Sequence, residues 1–106
     1  MNTVCLSGRT TRDMEMKQTQ SGKEKVSFRL AVNKDKEHTD FFQCFAYGKT
    51  AELAVQYVGK GSLIGVEGKL ITFSVGDDQT VTAIQVNRIE FLNLKGGDDG
   101  EEELPE

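Results

Sequence analysis

Residues 39–70 read TDFFQCFAYGKTAELAVQYVGKGSLIGVEGKL, and the fold is predicted chiefly from this segment. From Phe41 to Tyr47, every second residue belongs to one set of side chains, which is the period of a strand. Between Thr50 and Val58, apolar residues recur at the spacing of one helix face. After Gly59-Lys60-Gly61, the period of a strand returns from Leu63 to Phe73. The stretch therefore predicts a strand, one short helix that ends at a left-handed glycine cap, and a second strand.

The chain on either side of this stretch also has the two-residue period of strands. On the N-terminal side, residues 2–8 and 26–32 alternate apolar and polar positions, and residues 14–17 form a shorter alternation between them. On the C-terminal side, Gly76-Asp77-Asp78 indicates a hairpin tip, and a last strand is expected from Thr80 to Leu94. Apart from the one helix, every predicted element is therefore a strand.

The order of the elements is three long strands, one helix and two long strands, with a charged loop from Asn33 to Asp40. Gly65 and Gly68 interrupt the fourth long strand, where a barrel wall would bend. This layout predicts a mainly β protein with the OB-fold, a five-stranded Greek-key barrel with one short helix between strands 3 and 4. We expect the barrel to occupy residues 1–95 and residues 96–106 to form a disordered acidic tail.

Charge is distributed unevenly along the chain. The 106 residues hold 13 basic and 17 acidic side chains, for a net charge of −4. Residues 1–95 alone hold 13 basic and 11 acidic side chains, a net charge of +2, because six acids fall in the last eleven positions. The predicted barrel is thus mildly basic and compatible with phosphate contacts.

Several classes of protein are disfavoured by what the sequence lacks. No apolar run approaches the roughly 18 residues that a membrane-spanning helix needs, and the start of the chain lacks the pattern of a secretory leader, so we expect a cytoplasmic protein. Cys5 and Cys44 have no metal-ligand spacing and are interpreted as small buried hydrophobes, with no metal or cofactor. His38 has no nucleophile or paired carboxylate to activate, and no catalytic residue is predicted.

The strand from Phe41 to Tyr47 carries the information about function. Its alternation makes two sets, of which one consists of Phe41, Gln43, Phe45 and Tyr47 and the other of Phe42, Cys44 and Ala46. If the aromatic set points outward, its rings and the nearby lysines form a surface that holds single-stranded nucleic acid. If it points inward, the rings are core and the smaller set faces a subunit interface. Because large apolar residues are usually buried, the aromatic count by itself favours the inward arrangement.

Four motifs occur in a diagnostic order: LAVN at residues 30–33, an Asp-aromatic pair at 40–41, GKTAE at 48–52 and KGSLIGVEGKL at 60–70. With them, the chain resembles bacterial and phage single-stranded DNA-binding proteins of the homotetrameric OB-fold type, over nearly all of residues 1–92. The resemblance favours the outward arrangement of the rings. It also implies that the first strand pairs with its counterpart in another subunit of a homotetramer.

The resemblance, added to the residue pattern, gives a set of expected contacts. Base stacking is assigned to Phe41, Tyr47, Phe45 and Phe73. Phosphate contacts are assigned to Arg9, Arg12, Arg29, Lys34, Lys36, Lys49, Lys60 and Lys69. The chain departs from the family where a further stacking aromatic is replaced by Val75, and in the shortness of the loop after Asn33.

The end of the chain departs further from the family pattern. Relatives end in acids followed by a hydrophobic-Pro-Phe tip that docks on replication and repair proteins, whereas this chain ends in Glu106. The tail residues that could still bind such partners are Asp98, Asp99, Glu101, Glu102, Glu103, Leu104 and Pro105. The same acids are expected to compete with DNA for the basic surface.

The function expected from the resemblance is sequence-independent coating of single-stranded DNA during replication, recombination and repair, without catalysis. Two alternatives stay open. One is an OB-fold accessory of the primosome type, which binds single strands but chiefly bridges proteins. The other is a protein-interaction module whose aromatic face docks a partner chain.

Overall fold

The computed structural model describes residues 1–92, which form a ring of five strands with a sixth short strand beside it. In chain order the elements are β1 Val4–Thr10, β2 Met16–Gln18, β3 Glu24–Asn33, β4 Thr39–Tyr47, α1 Gly48–Tyr57, β5 Leu63–Val75 and β6 Gln79–Phe91. Within residues 1–92, no helix is both long enough and apolar enough to cross a membrane.

The strands close on themselves in the order β1, β5, β6, β4, β3 and back to β1. All of these pairs are antiparallel except β4 with β6, which run parallel near Cys44 and Ile84. The ring closes where Arg9 and Thr10 pair with Ala31 and Leu30, and β2 extends the sheet beyond β3. The prediction of an OB-fold with one helix between the third and fourth barrel strands is confirmed, since β2 lies outside the ring and α1 follows β4.

The core is made by alternate residues of the barrel strands. Leu30 of β3 and Ile64 of β5 are fully buried, and Ile84 of β6 is 2% exposed. The helix places Ala51 and Ala54 against the same cluster, so α1 covers the inside of the barrel with small side chains. Burial of these apolar side chains is the main favourable contribution to folding.

One glycine fixes the shape of the longest hairpin. The pairing of β5 with β6 changes register between Glu67 and Gly68. A side chain at position 68 would overlap the backbone carbonyl of Gln85, so only glycine lets the two strands approach this closely. At Gly65, also predicted as a bend, an added Cβ would meet only ordinary contacts of 3.7 Å. The bulge therefore lies at the second of the two predicted glycines.

The charged loop is shorter than the sequence suggested. Asn33 pairs with Thr39, and Val32 with Asp40, so the strands continue and the loop is reduced to residues 34–38. Inside it, the Asp35 carboxylate accepts a hydrogen bond from the Glu37 backbone, and His38 Nδ1 lies 2.9 Å from Asp35 Oδ1. These two partners hold the pKa of Asp35 below its ordinary value. The prediction of a loop from Asn33 to Asp40 was wrong because local hydrogen bonds make a tighter turn possible.

The ends of the helix also differ from the prediction. The helix begins at Gly48, two residues early, and it ends at Tyr57 with Val58 in an extended conformation (φ −113°). Val58 is 1% exposed, and its backbone N–H donates to the Ala54 carbonyl. The predicted left-handed glycine cap is therefore wrong. Burial of Val58 draws the chain into the core instead, and the left-handed glycine is Gly61, in the turn before β5 (φ +81°).

The two cysteines have different environments, so the prediction that both are buried was half wrong. Cys5 is exposed because its neighbours Val4 and Leu6 pack toward the barrel. Cys44 is fully buried, and this burial raises the pKa of its thiol to about 12. The predicted ends of the last strand at Leu94 and of the domain at residue 95, like the tail from residue 96, lie outside the described residues.

Candidate nucleic-acid interface

The aromatic set of β4 points away from the barrel. Cys44 and Ala46 are fully buried and Phe42 packs against the core, so the alternate positions face outward. The arrangement in which the rings form the core is therefore wrong. On the outer face of β3 and β4, side chains of the two strands stand opposite each other in pairs. The pairs are Lys25 with Tyr47, Ser27 with Phe45, Arg29 with Gln43 and Ala31 with Phe41.

One end of this face is open. Phe41 is 50% exposed, and the Arg29 guanidinium lies over its ring at 4.8 Å from the centroid. Arg29 reaches Phe41 diagonally, because its direct partner on β4 is Gln43. A planar guanidinium beside an open ring can accept a stacked base and can donate hydrogen bonds to a phosphate.

The other end of the face is covered by lysines that the sequence analysis missed. Lys25 Nζ lies 4.7 Å from the centroid of Phe45 and 6.0 Å from that of Tyr47, and Lys23 Nζ lies 5.8 Å from Tyr47. The side chains of Phe45 and Tyr47 are less exposed than that of Phe41. Lys23 directly precedes β3 and Lys25 is its second residue, so the two stand at alternate positions, which is a signal in the sequence. Their position over the rings depends on the pairing of β3 with β4.

The long hairpin contributes a fourth ring. Phe73 of β5 meets Phe45 edge to face, with 6.0 Å between centroids and 74° between planes. Phe73 is 38% exposed and Val75 is 45% exposed. The hairpin of β5 and β6 therefore reaches the outer face of β4 and brings Phe73 to the predicted stacking residues.

The three predicted arginines line two grooves. Arg12 and Arg29 line one groove beside this face, together with Lys17 and Gln43. Arg9 lines a second groove on the far side of Phe41, where its Nη1 donates a 2.9 Å hydrogen bond to the Gly61 carbonyl.

The other predicted basic residues are exposed on other elements: Lys34 and Lys36 on the loop before β4, Lys49 on α1, Lys60 in the turn before β5 and Lys69 on β5. The Lys60 backbone N–H donates to Asp13 Oδ1 at 2.7 Å, which fixes that turn against the segment after β1. Within residues 1–92, the cations that lie over aromatic rings are Lys23, Lys25 and Arg29, and none of these five lysines is among them. The predicted tail residues 98–105 lie outside the described part of the chain.

The electrostatic attraction of this surface for a polyanion is local. Residues 1–92 hold 12 basic and 11 acidic side chains, so the described part of the chain has a net charge of only +1. Near the lysine-covered end, the pKa of Glu24 is raised above its ordinary value because its carboxyl group shares a hydrogen bond with Glu52. Among residues 1–92, no group of three His, Cys, Asp or Glu side chains is placed to hold a metal ion.

A closed five-stranded barrel with rings and cations on one outer sheet face defines a class, the OB-fold modules that bind extended single-stranded ligands. Comparison with known proteins identifies the group within that class. The chain matches the single-strand binding protein family over residues 1–92 and belongs to that family. The resemblance found from the sequence motifs is confirmed.

Individual relatives are similar over most of their length. Single-stranded DNA-binding protein 1 of Staphylococcus aureus is 38% identical over 114 aligned residues, which cover 98% of this chain and 73% of the relative. Single-stranded DNA-binding protein 1 of Synechocystis is 39% identical over 104 residues, covering 90% of this chain and 86% of the relative. The single-stranded DNA-binding protein of Oceanobacillus iheyensis is 33% identical over 112 residues, covering 96% and 70%.

Proposed function

We propose that this protein binds single-stranded DNA without sequence preference on the outer face of β3 and β4. The observation that carries the proposal is a row of outward aromatic rings with cations directly over them, on a member of the single-strand binding protein family. Within that surface, Phe41, Tyr47, Phe45 and Phe73 stack on bases. Arg29 and Arg12 contact phosphates beside them.

Stacking explains why such binding tolerates any sequence. Every base has a π-face, and each base stacked on an aromatic side chain contributes about 1–3 kcal/mol. Phosphate contacts add a term that depends on salt, with a slope of about −0.7 per phosphate neutralised on single strands. Because the net charge of the described residues is small, we expect few phosphates to be neutralised and a shallow salt slope.

The proposal is tested by fluorescence anisotropy with labelled oligo-dT, using the same oligonucleotide annealed to oligo-dA as the competitor. Single strands are expected to bind and duplex to compete poorly, because the bases of a duplex are already stacked on each other. If single strand and duplex compete equally, the surface binds any polyanion through its phosphates, and stacking of bases on the rings is contradicted.

In the cell, we propose that the protein coats single strands exposed during replication, recombination and repair. Protection follows from the chemistry, since stacked bases and neutralised phosphates are shielded from re-pairing and from other proteins. The family membership supports this role, and no catalytic step is part of it.

Self-association through β1 is part of the proposal. One edge of β1 pairs with β5 from Val4 to Arg9, whereas the other edge pairs with β3 only at Arg9 and Thr10. Within residues 1–92, the backbone of residues 4–8 therefore has no strand along its second edge, and such an edge is a template for pairing. We expect light scattering to report a species near four times 11.7 kDa, and a clean monomer at micromolar concentration would contradict the assembly.

The acidic end of the chain is proposed to act on the same surface. Deleting residues 96–106 removes six acids, so we expect tighter binding to oligo-dT, most of all at low salt, because tethered anions compete with phosphates. A matched control replaces the acids with Gln and Asn and keeps the length. If both variants bind like the full chain at every ionic strength, the tail has no role in DNA binding, and docking of replication or repair proteins is its remaining proposed role.

A further inference from the structure

The two ends of the aromatic row differ in whether a ring face is available in the free protein. At one end, Phe41 is 50% exposed beside Arg29. At the other end, Phe45 and Tyr47 are less exposed than Phe41, and the Lys25 ammonium lies 4.7 Å and 6.0 Å from the centroids of their rings. A base that stacks at the second end has to take a place that Lys25 occupies.

Phe45 has a second neighbour besides Lys25. Its edge contact is made by Phe73 at 6.0 Å, and on the sheet it stands opposite Ser27. Tyr47 is approached by a second ammonium, that of Lys23, at 5.8 Å. The two rings that are less exposed than Phe41 are therefore the ones with lysine ammonium groups beside them, with Phe73 adding a contact to Phe45.

We propose that Lys25 exchanges partners when DNA binds: its ammonium covers the rings of Phe45 and Tyr47 in the free protein and moves to a phosphate of the nucleotide whose base replaces it. This inference rests on the proposed function and assigns a positioning role to a residue that was not among the predicted DNA contacts. Lysine suits the exchange because its ammonium is a point charge on a flexible stem with three rotatable donors. Arg29, whose planar guanidinium itself stacks, can remain beside Phe41 in the complex.

Base stacking contributes more to binding than the cation–π contact that it replaces. A cation over an exposed ring corresponds to roughly a 2- to 5-fold effect on an equilibrium constant. A stacked base corresponds to roughly 5- to 150-fold. The lysine also gains a phosphate partner when it leaves the ring. This new contact offsets the loss of the cation–π contact, so the free energy of base stacking is not cancelled by moving the lysine.

The first test follows the Lys25 side chain by NMR in the full chain. Protons on a carbon above an aromatic ring are shifted upfield, so the Lys25 ε-methylene is expected upfield in the free protein and at the position of an ordinary lysine at saturating oligo-dT. Lys17 pairs with Lys25 across β2 and β3, and within residues 1–92 its ammonium lies over no ring, so its ε-methylene serves as the internal control. If Lys25 stays upfield while Phe41 resonances move, the exchange is wrong and DNA binding on this face stands. If neither moves, both proposals fail.

The second test compares Lys25→Ala with Lys17→Ala over a range of salt concentrations. Each substitution removes one positive charge, and each is expected to reduce the salt slope by up to about 0.7. At high salt, where phosphate contacts are screened, Lys25→Ala is expected to bind oligo-dT roughly 2- to 5-fold more tightly than the unmodified chain because its rings are uncovered. Lys17→Ala is not expected to gain affinity there. A Lys25→Ala variant that binds more weakly at every salt concentration would overturn the proposal.

Discussion

Replacing Phe41 with alanine is expected to weaken binding of oligo-dT by about 5- to 150-fold, which corresponds to 1–3 kcal/mol for one stacked base. Phe41 is the most exposed ring of the row and contributes little to the core, so the loss reports on binding rather than on folding. Its partner Arg29 stays in place in the variant and still offers a phosphate contact. The measurement is an anisotropy titration at several salt concentrations, and the salt slope is expected to change little.

Two matched variants separate stacking from size. Phe41→Trp keeps an aromatic face and is expected to bind oligo-dT as tightly as the unmodified chain or more tightly. Phe41→Leu keeps apolar bulk without a ring, and its affinity for oligo-dT is expected to fall nearly as far as that of Phe41→Ala. Thermal unfolding of all three variants checks that the barrel is intact. Affinity that is equal in the alanine and tryptophan variants would exclude Phe41 from the site.

Replacing Gly68 with alanine is expected to destabilise the barrel strongly. The added Cβ would overlap the carbonyl of Gln85 and press against the Cα of Val86, and both of these are backbone atoms that cannot rotate away. Overpacking of this kind costs about 1–3 kcal/mol, and more where strands have to separate. For a domain of this size, each kcal/mol lowers Tm by roughly 4–8 °C. Because β5 carries Phe73, DNA affinity is expected to fall along with stability.

Gly65→Ala is the matched control on the same strand. There the new Cβ meets Glu90 and the Leu6 carbonyl at 3.7 Å, which is ordinary van der Waals contact. We expect its Tm to lie close to that of the unmodified chain. Equal Tm values for the two variants would show that β5 and β6 do not approach closely at the bulge.

Much of the fold follows from the sequence because it is set by local periods. The alternation of β3 and β4, the single helix and the hairpin tip at Gly76 all appear where the pattern indicates them. The errors lie where tertiary packing decides the outcome. Burial of Val58 replaces the expected glycine cap, and Cys5 faces outward because its neighbours take the inward positions.

The orientation of the aromatic set shows what a pattern cannot decide. Alternation divides β4 into two sets but does not say which one is inside, and aromatic content alone favours the wrong one. The interior of a small five-stranded barrel is narrow, and on this side it is already occupied by Ala51 and Ala54 of α1. Small residues such as Cys44 and Ala46 fit against the helix, so the large rings are left outside.

The cations over the rings were the least predictable part of the site. Lys23 and Lys25 are separated from Tyr47 by more than twenty residues, and only the register of β3 against β4 brings them together. That register depends on the exact length of the loop at residues 34–38, which the sequence overestimated. Arg29 was expected near DNA from its place on a polar strand face, but its contact with Phe41 rests on the same register.

The most direct test of base stacking on this face is the emission of Tyr47. The chain has two tyrosines and no tryptophan, and Tyr57 packs on Phe91, so the variant Tyr57→Phe leaves Tyr47 as the only strongly emitting side chain. Added oligo-dT is expected to quench that emission and to reach a plateau at a fixed ratio of nucleotide to protein. Emission that stays constant while anisotropy shows the oligonucleotide bound would contradict stacking at the covered end of the row.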